Sequence, residues 1–178
     1  MQRGLAMRSK GFEGMACSMA EVMGALGDRW GMLVMRDLLL GLTRYDDLQR
    51  STGITNATLS DRLRSLQEAG LIERRQYQRR PDRYDYIPTA KGRDLALLLQ
   101  AMVQIGDTWR AREAAAEPLH FLDAATGARL KLAVVDAATG APLARPKLRI
   151  AAGPAADEAM QWRLAHGEAE RAARSQAT

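Results

Sequence analysis

A chain of 178 residues, 47% of them hydrophobic, can bury a real core, and this excludes global disorder. Its 26 Lys and Arg against 21 Asp and Glu leave a net charge of +5, a balance that favours a polyanionic partner. One cysteine, Cys17, excludes an intrachain disulfide and leaves few ligands for structural zinc.

The start, MQRGLAMRSKGF, has no apolar run of the kind a secretory signal carries. No uncharged apolar stretch reaches the roughly 20 residues needed to span a bilayer. The expectation is a soluble, cytoplasmic protein in a reducing compartment. Residues 1–14 are polar, basic and glycine-rich and read as a flexible arm. From Ser18 the apolar residues Met19, Val22, Met23 and Leu26 recur at helical spacing, closed near Gly27. Asp28 is placed to cap a mostly buried second helix, RWGMLVMRDLLLG, which Gly41 ends. Thr43 is the predicted cap of a short third helix, RYDDLQRS, closed by Gly53.

In ITNATLSDRLRSLQEAG, Thr55 caps a fourth helix, with Leu59, Leu63 and Leu66 on one stripe and Gly70 beyond its end. Its other side carries Asn56, Thr58, Asp61, Arg64 and Ser65, mostly short and polar. Past Gly70 the period changes, and LIERRQY and YDYIP read as hairpin strands around the turn Gln78, Arg79, Arg80, Pro81, Asp82 and Arg83. Thr89 caps a long helix over 90–116, with Leu95, Leu98, Leu99, Met102 and Ile105 as its apolar stripe. DAATGA then occurs at 123–128 and again at 136–141, each copy followed by a β-prone run. That pattern predicts a small meander or hairpin too small to fold alone. From residue 155 the chain is alanine-rich and charged, with helical composition over Asp157–Glu170.

Charge is concentrated where the elements are most suggestive. Between Arg62 and Arg93 nine basic residues face four acidic ones, an excess equal to that of the whole chain. Two helices joined at Gly53-Ile54, the second presenting Thr55, Asn56, Thr58, Ser60, Asp61 and Arg64, suit entry into a major groove roughly 12 Å wide. A capped amphipathic helix is also common in any protein. A hairpin tip bearing Arg79, Arg80 and Arg83, with Arg75 in the strand and Lys91 behind it, could reach phosphates. It could equally be a solvated loop. Tyr77, Tyr84 and Tyr86 are expected to anchor the strands, and Arg75 to serve packing or a salt bridge.

Residues 17–110 resemble the HxlR-type winged helix-turn-helix transcriptional regulators, a bacterial family related in fold to the MarR-type regulators. The resemblance runs through Cys17, LGDRW at 26–30, RDLLLG at 36–41, RYDDLQRSTGIT at 44–55, LSDRLRSLQEAGLIERRQY at 59–77 and YDYIPTAKGRDL at 84–95. It implies a mainly α fold with a β-hairpin wing, here with a small C-terminal β appendage. It also implies a homodimeric repressor on an inverted-repeat operator, with 55–69 as reader and 78–83 as wing. The dimer is expected to join through the first helix and the long helix, with Met19, Val22, Leu95, Leu98, Leu99, Met102, Ile105 and Trp109 as interface candidates. The domains expected are an arm (1–14), a winged domain with dimerisation helices (15–117), a β appendage (118–154) and a tail (155–178).

Some regulators of this kind sense oxidants through the cysteine that Cys17 resembles, while a half-buried thiol at the dimer contact is the alternative. Some longer relatives resemble an H…CG…CxxCG knuckle after the long helix. Here His120 remains, but DAATGA stands where the cysteine-glycine turns would sit, so no metal and no cofactor are expected. The appendage could shape a pocket for a small-molecule effector. His166 is expected at the surface, and Trp30 and Trp109 in packing. No phosphate loop, metal triad or serine–histidine pairing argues for an enzyme. The other reading is a dimeric adaptor gripping an acidic protein with its wing arginines.

Overall fold

The computed structural model describes residues 12, 14–113, 115–144 and 146–176. Apart from Phe12 and Gly14, the predicted arm lies outside the described residues. The chain divides into two compact units, one spanning Ala25–Pro146 and the other combining the stretch before it with Lys147 onward.

In chain order the elements are α1 (Ser18–Leu26), α2 (Arg29–Leu39), α3 (Tyr45–Thr52), α4 (Asn56–Glu68), β1 (Ile72–Arg79), β2 (Asp82–Pro88), α5 (Ala90–Arg112) and α6 (Glu158–Gln176). The fold is mainly α, with one antiparallel two-stranded sheet. Asp28 caps α2 by accepting from the amides of Trp30 and Gly31 at 2.9 and 3.0 Å. The Thr55 side chain accepts from the Thr58 amide at the start of α4. Thr89 does the same for Gly92 at the start of α5. The third expected cap differs. Arg44, not Thr43, precedes α3, with no side-chain cap bond. The Thr43 hydroxyl donates to Asp85 Oδ1 at 3.0 Å instead, a partner 42 residues away that local pattern does not reveal.

Val34, Met35, Leu38, Leu48, Ile54, Leu59, Leu63, Leu66, Leu71, Ile72 and Leu95 form the core, so α2, α3, α4, the base of β1 and the start of α5 close on one another. The close approach of α5 to the end of the α4–β1 link depends on Gly92, where a Cβ would lie 2.0 Å from the Leu71 carbonyl oxygen.

Three predicted extents change. The strands run to Arg79 and Asp82, leaving only Arg80 and Pro81 as the turn, so Gln78, Arg79, Asp82 and Arg83 belong to the ladder. α5 stops at Arg112 rather than 116; Glu117 beyond it is drawn into an ion pair with Arg129, and Pro118 cannot continue a helix. In the appendage, the β-prone runs form single bridges, Leu122–Arg129 and Val135–Pro142, rather than strands. Both main-chain groups of Leu132 bond the Gln104 side chain of α5, so they are spent on a helix and not on a neighbouring strand.

The two DAATGA copies fold alike. Asp123 Oδ1 accepts from the Thr126 amide and hydroxyl, and Asp136 Oδ1 from the Thr139 amide and hydroxyl. Gly127 and Gly140 take positive φ of 68° and 71°, a conformation glycine adopts without strain. In the other unit, α6 begins with Asp157 accepting from the Met160 amide at 2.7 Å.

Candidate nucleic-acid interface

Helix α4 is positioned by its apolar stripe. Leu59, Leu63 and Leu66 are buried, which turns Asn56, Ser60, Asp61 and Arg64 outward. Thr55 is also exposed, while Thr58 is half-buried and shares a 2.9 Å hydroxyl contact with it. One residue that the sequence pattern did not single out sets the helix start. Tyr45 Oη donates to the Asn56 carbonyl at 2.9 Å and lies 3.0 Å from Ser60 Oγ, tying α3 to the first turns of α4. Arg62 pairs with Asp61 and with Asp28 at 3.5 Å, so it binds α4 back to the cap of α2 and orients the Asp61 carboxylate. Asp61 is thus partly engaged within the protein, whereas Arg64 has no ion pair among the described residues.

The wing is braced from below as well as across its ladder. The Tyr86 amide donates to the Thr43 carbonyl at 2.8 Å, and Arg44 bridges Asp85, so the α2–α3 link runs beside β2. Arg44 also stacks on Tyr77 at 4.8 Å, and Arg74 on Tyr84 at 4.0 Å. These cation–ring contacts stiffen the strands with residues that would otherwise only solvate them. Burial pushes the Tyr86 phenol above its ordinary value, with the Arg74 charge opposing that shift.

The basic residues divide by what they touch. Arg75 pairs with Glu73 at 3.3 Å. Lys91 Nζ donates to the Ala69 carbonyl at 3.0 Å, and Arg93 to the Pro88 carbonyl at 2.8 Å, so the first is tied to the end of α4 and the second to the base of the wing. Arg79, Arg80 and Arg83 are exposed at the far end of the hairpin and carry no ion pair among the described residues. Arg44, missed in the sequence, joins this cationic side, and its signal would have been a basic residue in the link before α3. A cleft of about 380 Å³ separates α4 from the wing, lined by Ser60, Arg64, Gln67, Arg74 and Tyr86. Exposed hydrogen-bonding groups on a helix start beside free guanidinium groups are suited to base edges and phosphates respectively.

The remaining candidates fall elsewhere. On α5, Leu95 is a core residue at 8% exposure and Leu98 packs against that core, while Leu99 is half-buried. Met102, Ile105 and Trp109 are exposed, as are Met19 and Val22 on α1. Trp30 packs on the core, with Arg29 over its ring. In the terminal unit Cys17 is half-buried and lines an apolar groove with Phe12, Met15, Ile150 and Met160. His166 is exposed and stacks on Trp162 at 5.2 Å. Among the described residues no three His, Cys, Asp or Glu side chains gather where a metal could bind, and no helix is long and apolar enough to cross a membrane.

Comparison with known proteins gives a consistent class. The model of the family described as HxlR-like helix-turn-helix matches residues 25–114. Rv3095 of Mycobacterium tuberculosis, an uncharacterized HTH-type transcriptional regulator, is 38% identical over 95 residues, 53% of this chain and 60% of its own. A further HTH-type regulator, sll1512 of Synechocystis, is 36% identical over 101 residues, 56% of this chain and 75% of its own. The match thus spans about 60% of the length of the former. The crystal structure of PA1607, a candidate transcription factor, superposes with a TM-score of 0.65 at 29% identity, covering 80% of this chain and 99% of that one. PA1374 from Pseudomonas aeruginosa, also a candidate transcription factor, gives 0.54 at 38% identity, covering 83% and 100%.

Proposed function

The chain belongs to the HxlR-like helix-turn-helix family, and on that premise we propose that it is a sequence-specific, double-stranded DNA-binding transcriptional regulator and not an enzyme. It works as a homodimeric repressor on an inverted-repeat operator in the bacterial cytoplasm, under the control of a small-molecule effector. One observation carries the reading: the exposed polar start of α4, fixed by Tyr45, stands beside a braced hairpin whose three outer arginines have no ion pair among the described residues. In this reading Thr55, Asn56, Ser60 and Arg64 face base edges, and Arg79, Arg80 and Arg83 face phosphates.

The homodimer is supported by an apolar row at helical spacing on α5. Leu98, Met102, Ile105 and Trp109 follow one another at intervals of four, three and four, and the last three are exposed to solvent. A two-fold dimer sets its readers roughly 34 Å apart, one helical turn of the duplex, which is why the operator is expected to be an inverted repeat.

The test is salt dependence on specific and random duplexes. Each phosphate contact removed lowers the slope of log affinity against log salt by about 0.9, so Arg79→Ala with Arg80→Ala, which takes two contacts from each protomer of the dimer, should lower it by roughly three to four. Specific and random affinity should fall together. An unchanged slope removes the wing from the phosphate contacts. Asn56→Ala should instead relax base preference at one position of each half-site, at a cost of about 1–3 kcal/mol in discrimination. A parent protein that prefers no duplex over another defeats the regulator reading itself.

A further inference from the structure

The first DAATGA hairpin does not lie free. The Gln104 side chain donates to the Leu132 carbonyl and accepts from the Leu132 amide, both at 3.0 Å, which fixes the arm 129–132 along α5. Between helix and hairpin remains a cavity of about 270 Å³, close to the lower end of the roughly 300–1,000 Å³ typical of small-molecule sites. Its α5 wall lies within the stretch that the family model matches, and its hairpin wall lies beyond it.

Its two walls differ in chemistry. α5 contributes Val103, Gln100 and Asp107; the hairpin contributes Phe121, Leu130 and the cations Arg129 and Lys131. Arg129 and Lys131 both line the hairpin side of the cavity. Glu117 at the rim is already engaged, by Arg129 through Nη2 and by the His120 ring at 3.0 Å. Those contacts, Arg129 foremost, hold its carboxyl below the usual range, so it remains an anion. Arg129 keeps further N–H donors beyond the one that Glu117 uses. The Lys131 side chain has no ion pair or hydrogen bond among the described residues, and the same holds for the Asp107 side chain. The cavity therefore offers an apolar surface from Val103, Phe121 and Leu130 and a wall with unspent positive donors.

We propose that this cavity binds a small organic carboxylate, its apolar body among Val103, Phe121 and Leu130 and its acid group on Arg129 and Lys131. The proposal rests on the effector reading above and supplies its ligand class. The acid could come from a simple carboxylic acid or from an amino acid, whose ammonium group would face Asp107.

The experiment is titration of the full chain by calorimetry and amide chemical shifts with benzoate, phenylacetate, hexanoate and L-phenylalanine, against benzyl alcohol and phenethylamine. At least one acid should bind tenfold or more tightly than either acid-free control, with shifts at Gln104, Phe121 and Leu130. Lys131→Gln, a change at an exposed side chain, should weaken that binding about tenfold. Glu117→Gln should strengthen it severalfold by removing the competing carboxylate, an effect that mere loss of structure would not give. Binding of phenylalanine alone, weakened by Asp107→Asn, assigns the amino-acid source and supports the site. The proposal is overturned if no acid binds at millimolar concentration, if a control binds as well as the acids, or if both variants bind like the parent. DNA affinity measured on the same samples separates the two readings. Acid binding by a protein that prefers no duplex leaves the cavity standing and sinks the regulator; a DNA-binding protein that takes no acid does the reverse.

Discussion

The wing and the DAATGA hairpins are both two-armed turns, yet one is held by its arms and the other by its turn. In the wing the arms dominate: seven residue pairs from Ile72–Pro88 to Arg79–Asp82, two arginine–tyrosine stacks, and the link before α3 laid along β2. Its turn is only Arg80-Pro81. In the appendage the turn dominates. Each hairpin closes on one aspartate that gathers the amide and hydroxyl of a threonine three residues on, while its arms meet at a single bridge. The first kind of hairpin is anchored in a core and can carry charge at its tip. The second assembles locally and needs only a six-residue pattern, which is why it can be repeated.

The comparison breaks most visibly at the core. Leu63→Ala, at 2% exposure on the buried side of α4, should cost about 2–5 kcal/mol. Chemical denaturation would record that loss, and amide shifts of Thr126 and Thr139 should be unaltered below the transition. A global loss that also displaces those turns would mean the appendage depends on the core after all. Next comes Gly92→Ala, where the new Cβ meets backbone rather than a movable side chain; a cost of about 1–3 kcal/mol is expected from forced overpacking. Hydrogen exchange should then quicken at the base of the wing, around Leu71 and Thr89, and a protein as stable as the parent would refute the close approach. Thr55→Ala should cost about 1 kcal/mol through its lost cap, seen as a lower unfolding midpoint and faster exchange at Thr58.

The smallest effect belongs to the turns and is one of pH. Asp123 is held below the ordinary carboxylate range chiefly by the Thr126 hydroxyl, and Asp136 chiefly by the Thr139 amide. A depressed folded-state pKa makes the contribution complete above the unfolded value and lost as pH falls through the folded one. The Thr126 and Thr139 amides should therefore shift together in acid, below the ordinary aspartate value of 3.8. A midpoint at or above that value would show that the side chains do not close the turns.

How far the sequence could be read follows the same division between local and distant causes. Asp28, Thr55 and Thr89 were legible as caps because cap and recipient lie two or three residues apart. Thr43 looked equivalent, but its partner Asp85 is brought near only by the fold. Tyr45 stayed hidden for the same reason, its contacts lying 11 and 15 residues on. The DAATGA turns were legible, since everything they need is within six residues. Their arms were not, because β-prone composition cannot say whether a main-chain group will meet a strand or, as at Leu132, a helix side chain. Among the basic residues, composition located the excess of charge but could not separate Lys91, bonded to a carbonyl, from Arg79 and Arg80, whose side chains have no such tie among the described residues.

The node where α5 begins makes the protein a lever with a short arm and a long one. Bonds from the Thr89 amide and hydroxyl, Lys91 and Arg93 tie the first turn of α5 to Ala69, Gly70 and Leu71 between α4 and β1, and to Pro88 at the end of β2. From that fulcrum the helix runs 23 residues, about 34 Å. Displacing its far end by about 3 Å would tilt it by about 5° at the node. At the start of α4 or the wing tip, about 20 to 26 Å from the fulcrum, the same tilt amounts to about 2 Å, enough to make or lose hydrogen bonds to base edges.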